Sequence, residues 1–215
     1  MIVEVAGTTL ELLPERAAYW PERNTLFVAD THWGKAAAFR AHHIPVPGGT
    51  TSNDLARLSG LIKGTGCRRI VLLGDAIHAR EGRGALDAVA DWRAGHANVE
   101  FVLVRGNHDK RAGDPPPALR IECVNAPLLE APFVLLHHPE ESDKGYALAG
   151  HTHPAVKLRG KGLQRATLPC FWFTQRVCTL PAFGSFCGNA LICPSPGDRV
   201  YAIAGDEVVE IPGIY

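Results

Sequence analysis

The sequence carries no excess charge of either sign: 22 lysines and arginines balance 22 aspartates and glutamates over 215 residues. No bulk field therefore draws in nucleic acid or an anionic membrane, and affinity for either would need a local basic patch. No run approaches the roughly 20 apolar residues of a membrane span. The opening "MIVEVAGTTLELLPER" lacks a basic segment followed by an apolar one, so the expectation is a cytoplasmic chain without a secretory signal. Low-complexity stretches, long linkers and repeats are missing too, and the length suits one α/β domain over residues 1–215. There is no C-x-x-C among Cys67, Cys123, Cys170, Cys178, Cys187 and Cys193. These cysteines read as small buried hydrophobes, and the irregular spacing of the last four argues against a zinc site.

What the chain has in quantity is histidine. There are ten, and seven of them fall in or beside short polar clusters. The apolar patterning shows where those clusters sit. "MIVEVAG" and "TTLELLPE" read as an opening hairpin and "NTLFVAD" as the first core strand. A helix follows inside "PVPGGTTSNDLARLSGLIKGTG". Thr51 or Ser52 can cap it, Leu55, Leu58, Leu61 and Ile62 give it one apolar face, and Gly64 or Gly66 can stop it. "RRIVLLGD" is a continuous apolar strand, "GALDAVADWRAG" a second amphipathic helix, and "VEFVLVRGNHD" the next strand. Beyond "GDPPPALR" come short strands around "IECV", "FVLLHH", "YALAG", "AVKLR", "ATLPCFWF", "VCTLPAF" and "RVYAIAG". Strand and helix alternate in the first half and strands dominate the second, which fits a layered α/β architecture with a mixed sheet.

Five of these strands end in the same chemistry. "LFVA" runs into Asp30 and His32, "IVLLG" into Asp75, and "FVLVRG" into Asn107, His108 and Asp109. "FVLL" runs into His137 and His138, and "YALAG" into His151 and His153. In three cases a glycine stands just before the donors. Any one cluster is an ordinary turn. Five together would bring carboxylates and imidazoles to one sheet edge, where they would be costly without something positive to hold them. The donor set is two carboxylates, one amide and four imidazoles, which suits manganese, iron or zinc better than magnesium, calcium or copper(I). Seven ligands are too many for one tetrahedral ion and natural for two ions sharing a bridge, the arrangement that clamps both oxygens of a phosphoryl displacement.

The ordered string D-x-H, G-D, G-N-H-D, H and G-H-x-H resembles the calcineurin-like metallophosphoesterases. The blocks "ADTHWGKAAAFRAHHIPVPGGTTSNDLARL", "LLGDAIHAR", "RGNHD", "LLHHPE", "AGHTHPAV" and "LPAFGSFCG" are similar to one branch of them, the ligase-associated DNA-damage-response phosphoesterases, often described as endonucleases. Thr31 and Ala76 stand where that branch commonly has leucine, at positions that do not ligate metal. The resemblance implies a four-layer αββα sandwich with two mixed β-sheets and two divalent ions, manganese first, with iron or zinc as alternatives. It implies Asp30, His32 and His153 on one ion, Asn107, His137 and His151 on the other, and Asp75 between them. His137, directly after its strand, is preferred to His138. His108 would donate a proton to the leaving oxygen, with Asp109 orienting it, and His78 would meet the substrate phosphate or support a ligand.

Lys35, Arg40, Arg80, Arg83, Arg105, Lys110 and Arg111 lie near these clusters and together can form a cationic rim, with Arg105 a candidate substrate contact. Trp33 can stack on a base or pack in the core; "CFWF" reads as core strand. The expected activity is cleavage of a phosphodiester, with DNA as the substrate and a DNA ligase and helicase as associates that the resemblance implies. The rival readings are a phosphatase or nucleotide hydrolase on a small ester, and a non-catalytic scaffold.

Overall fold

The computed structural model describes residues 1–160 and 164–213. It opens on an antiparallel meander of β1 (Ile2–Val5), β2 (Thr8–Leu13), β3 (Ala17–Trp20) and β4 (Thr25–Val28). Then follow α1 (Lys35–Ala41), α2 (Thr50–Thr65), β5 (Arg69–Leu72), α3 (Leu86–Ala94), β6 (Glu100–Val104), α4 (Asn107–Ala112) and β7 (Ile121–Val124). β4 to β7 pair in parallel, which completes a seven-stranded mixed sheet in sequence order.

The second half contributes β8 (Leu128–Glu130), β9 (Phe133–Leu135), β10 (Tyr146–Ala149), β11 (Pro154–Arg159), β12 (Arg165–Phe173) and β13 (Val177–Thr179). β14 (Ala190–Leu191), β15 (Arg199–Ala204) and β16 (Glu207–Glu210) complete it. These form a nine-stranded mixed sheet in which β10 lies parallel between β9 and β13.

Strand alternation explains why the sheets stack. Along β5 and the residue after it, Val71 and Leu73 point one way, while Ile70 and Leu72 point the other; Val102 and Val104 oppose Phe101 and Leu103 on β6. The first set meets Phe133, Leu135, Leu148, Phe171 and Phe173 of the second sheet, forming the core between the sheets. The second set meets Leu55, Leu58 and Leu61 of α2 and Leu86 and Val89 of α3. Each such side chain, fully buried, contributes about 1.5–3 kcal/mol. The two mixed sheets of the expected sandwich are thus present. Among the described residues, α1 to α4 all precede β7, and a smaller cluster around Val156, Cys170, Val200 and Ala202 lies apart from the two large cores. Among the same residues no helix is long and apolar enough to cross a membrane.

Several local readings change. The α2 start is capped by Gly49, in the left-handed region, without a side-chain cap, and the Thr51 hydroxyl instead accepts the Gly34 N–H at 3.4 Å. Gly66 does end the helix, at φ 66°. α1, alanine-rich and without a leucine stripe, shows no apolar periodicity to read. α4 begins inside "NHD", where the sequence suggests only a strand end. β3, β8, β14 and β16, none longer than four residues, also escape the pattern.

One crossing matters for function. After β13, the Leu180 N–H donates to the Ala149 carbonyl at 2.8 Å, and then Phe183 and Gly184 donate to the carbonyls of Ala29 and Asp30. Residues 180–184 therefore stitch the second sheet to the end of β4.

Candidate metal centre

The candidate ligands come from both sheets. β4, β5 and β6 of the first deliver Asp30, His32, Asp75 and Asn107; β9 and β10 of the second deliver His137, His151 and His153. The backbone turns sharply at these ends. Asp30 (φ 53°), His32 (45°), Asp75 (51°), His151 (71°) and His153 (51°) are five of the ten described non-glycine residues with positive φ. That region costs an L-residue about 1–2 kcal/mol, and such strain collects at functional sites.

Glycine makes the convergence fit. A Cβ on Gly74 would overlap the His137 ring, one on Gly106 the Asp75 carboxylate, and one on Gly150 the Asp30 carboxylate. Each glycine noted before a donor cluster clears space for a ligand from another strand. Backbone amides then fix the carboxylates: His151 N–H donates to Asp30 Oδ2 at 2.8 Å, and His108 N–H to Asp75 Oδ1 at 2.9 Å.

The imidazoles are aimed from behind. His137 Nδ1 faces the Leu73 carbonyl at 3.0 Å, and His153 Nδ1 faces the Gly188 carbonyl at 3.0 Å. A nitrogen facing a carbonyl must carry the proton, which leaves Nε2 of each ring turned to the centre. His137 Nε2 lies 3.0 Å from Asn107 Oδ1, 3.1 Å from His151 Nδ1 and 3.4 Å from Asp75 Oδ1. His153 Nε2 lies 3.7 Å from Asp30 Oδ1, and His32 Nε2 lies 3.9 Å from Asp75 Oδ2. Asp75 thus stands between the His137 side and the His32 side. Groups close enough to share an ion include Asp30, His32 and His153; Asp30, Asp75 and His137; and His137, His138 and His151. Of the last group His137 is buried, while His138 is exposed.

This donor set fits cations. Asp30 Oδ1 is buried and has no hydrogen-bond partner, and among the described residues no lysine or arginine pairs with Asp30 or Asp75. Buried carboxylates left so would be expensive, and positive charge at the centre relieves them. The imidazoles feel the same field. Burial alone would lower the His137 pKa, but hydrogen bonding and charge from Asp75 raise it. Burial likewise pushes against ionisation of Asp75, yet His137 and the His108 N–H take it down to about 2. His32, away from the strongest carboxylate contact, is held neutral by burial, its pKa driven from 6.5 to about 2.

The residues around the centre divide into those it uses and those it does not. His108 Nδ1 faces the His78 carbonyl at 2.7 Å, which turns Nε2 towards Asp75 Oδ2, 4.0 Å away. Its ring stacks on that of His78 at 4.8 Å, and His78 Nδ1 lies 3.3 Å from His32 Nδ1. Burial, then Lys35 and His108, lower the His78 pKa to about 4. Asp109, expected to orient His108, makes no hydrogen bond to its ring: its oxygens accept the Ile77 and Gly106 N–H groups at 3.0 and 2.9 Å. The two residues open α4, and adjacent side chains on a helix do not face one another. Asp109 steadies His108 only at one remove, by tying α4 to the segment that carries the His78 carbonyl.

Arg105, a candidate for substrate, is instead held by both oxygens of Asp114 at 2.7 Å and by Asn125. Arg83 is engaged by the carbonyls of Ala112, Gly113 and Asp114. Trp33 is 1% exposed and sits in the core, which leaves no face for a base. Phe171 and Phe173 are core, as expected. No cysteine joins a candidate ion cluster among the described residues, and burial pushes Cys170 and Cys187 up to about 12, so both stay protonated.

Sequence reasoning missed Asp54, buried on α2, whose carboxylate accepts the Ser185 N–H. It also missed Phe39, whose ring lies 6.0 Å from that of His78, and Phe186, which packs against Phe39. A buried acid within a leucine-rich helix face was the one available signal.

Scans of the sequence against protein-family models and against curated proteins find no match. Solved structures do match. The crystal structure of the Pseudomonas putida nuclease MPE shares 42% identity and a TM-score of 0.87, over 98% of this chain and 99% of that one. A phosphoesterase from E. coli, Yfce, shares 15% identity at a TM-score of 0.40 over 87% of this chain and 97% of that one, a likeness too slight to bear on function. At 42% identity over nearly the full length of both chains, this protein belongs to the metallophosphoesterase family of the Pseudomonas putida nuclease MPE.

Proposed function

We propose that the protein is a metal-dependent phosphodiesterase that cleaves nucleic acid. The observation that carries this reading is the convergence of seven oxygen and nitrogen donors from the ends of five strands, two of them buried carboxylates that no lysine or arginine among the described residues neutralises. The 42% identity to a nuclease supports the substrate class.

In the proposed assignment Asp30, His32 and His153 would hold one divalent ion and Asn107, His137 and His151 a second, with Asp75 available to both. Manganese suits the mixed donors, with iron or zinc as alternatives. When bound, such ions lower the pKa of a water and neutralise charge on the phosphate. The chain's own residues do the rest. The carbonyls of Leu73 and Gly188 orient His137 and His153, and the amides of His108 and His151 hold Asp75 and Asp30 in place. His108 keeps its Nδ1 proton on the His78 carbonyl; as the doubly protonated imidazolium it would carry a second proton on Nε2 and pass that one to the leaving oxygen, ending as the neutral Nδ1–H tautomer. His78 lies against His32 and His108 and is proposed to meet the substrate phosphate. The setting we propose is DNA repair in the cytoplasm, alongside a DNA ligase and a helicase.

The test is hydrolysis by metal-reconstituted protein with Mn²⁺, Zn²⁺, Fe²⁺ and Mg²⁺ in turn. Substrates are an aryl phosphodiester, an aryl phosphomonoester, and single-stranded and duplex DNA. Cleavage of the diester and of DNA is expected. Turnover of the monoester alone would move the protein to the phosphatases.

A further inference from the structure

A cavity of about 280 Å3 is lined by Lys35 and Phe39 of α1 and by Ser185, Phe186, Cys187 and Gly188. Phe39 and Phe186 meet edge to face there, with centroids 5.5 Å apart and planes at 84°. Both are only half-buried, and neither belongs to any of the three apolar cores. Such rings forgo part of the burial that a core phenylalanine gains.

The loop that presents Phe186 is nevertheless firmly braced. Both oxygens of the buried Asp54 lie 3.1 Å from the Ser185 N–H. Arg57 donates to the Phe183 carbonyl and stacks on its ring at 4.0 Å. Gly184 runs so close to the Thr31 carbonyl that a Cβ would not fit, and Gly188 is the residue whose carbonyl orients His153. The same loop therefore positions a candidate metal ligand and an aromatic ring.

Phe39 also approaches the His78 ring, at 6.0 Å between centroids. His78 lines a second cavity of about 300 Å3 with His108, two arginines, Arg80 and Arg111, and one acid, Glu81, so that its fixed charge is net positive. One histidine at the centre is thus the common neighbour of an aromatic cavity and a cationic one. A nucleic-acid strand, with flat bases on a charged backbone, offers that combination.

We propose that Phe39 and Phe186 form a subsite for one nucleobase of the strand being cut, next to the phosphate at the metal centre, with Lys35 on the adjoining backbone. This rests on the reading of the protein as a nuclease. The base lies on one ring and offers its edge to the other. Stacking uses a π-face that every base has, so the subsite does not choose between bases.

The experiment compares single-stranded oligonucleotides with strands of the same length whose bases have been removed, using the full chain reconstituted with Mn²⁺. The wild type should show a KM about tenfold lower for the base-carrying strand, within the range of about 5- to 140-fold that base–aromatic stacking spans. Phe186→Leu and Phe39→Leu keep apolar volume and lose the ring, so each should erase most of that ratio; Phe186→Trp should keep it. An unchanged ratio in both leucine variants would overturn the subsite.

If the wild type cuts no strand yet hydrolyses an aryl diester, the nuclease reading fails on its own. The subsite is then judged by inhibition of that hydrolysis. Thymidine 5′-monophosphate inhibiting about tenfold better than deoxyribose 5-phosphate, with the gap closed by Phe186→Leu, upholds it. Equal inhibition by the two overturns it.

Discussion

The interior between the sheets and the rim at their strand ends are a few residues apart in sequence and opposite in construction. In the interior, Phe27, Val71, Val102 and Phe133 sit on extended backbone and bury nothing but carbon. At the rim, Asp30, His32 and Asp75 are as deeply buried, yet they are polar and held at positive φ. The interior is what a stable sheet sandwich requires. The rim is what stability alone would disfavour, and so costly an arrangement argues that it serves chemistry.

That contrast predicts two kinds of variant. Asp75→Ala, at the rim, should give the largest loss, at least about a thousandfold in diester hydrolysis, because the ions supply several kcal/mol of charge stabilisation. Metal analysis should show depleted occupancy, and two retained ions would break the assignment of Asp75 to both. His108→Ala should cost about 10²–10⁴-fold in turnover while metal content holds. Activity equal to wild type would remove His108 from the proton transfer.

Leu58→Ala, in the core beneath α2, should do the reverse. Denaturant unfolding should show a loss of about 2–5 kcal/mol, and the folded fraction should keep its specific activity. Reduced metal content in folded Leu58→Ala would blur the division between interior and rim.

The rim should also make metal-free protein sensitive to acid. His32 and His78 have pKa values lowered to about 2 and about 4 from 6.5, and that of His151 is lowered as well, by burial and then by His137 and His138. Below pH 6.5 the unfolded chain takes up protons that these folded groups refuse, so their contribution is present above 6.5 and lost as pH falls. His137, with its raised pKa, acts in the opposite sense, and Asp75 adds a further loss only between about pH 4 and 2. Unfolding of the metal-free protein at pH 5 should take about 2 kcal/mol less than at pH 7. Constant stability over that range would mean the rim histidines are not held neutral. The smallest effect belongs to Arg105→Ala, whose exposed pair with Asp114 is worth under about 1 kcal/mol. A large loss of activity there would return Arg105 to the substrate.

The same contrast explains what could be read in the sequence. Each rim cluster announces itself because an apolar run stops at Asp, Asn or His, and the glycines before Asp75, Asn107 and His151 mark the tight approach. The core helix α2 shows through Leu55, Leu58 and Leu61. What stayed hidden depends on contacts between distant segments. Asp54 meets Ser185 across 131 positions, and Phe39 meets Phe186 across the same crossing between sheets. Asp109, which the resemblance assigns to orienting His108, has contacts the sequence does not show: its oxygens accept the Ile77 and Gly106 N–H groups. Trp33, next to His32, is carried into the core, where a bridge links it to Ile77.

The most direct test of the account is the number of ions bound at full activity. Metal-free protein titrated with Mn²⁺ should reach maximal hydrolysis of an aryl phosphodiester at two ions per chain, measured by elemental analysis of the same sample. Full activity with a single ion, or two bound ions with no turnover of any phosphodiester, would contradict it.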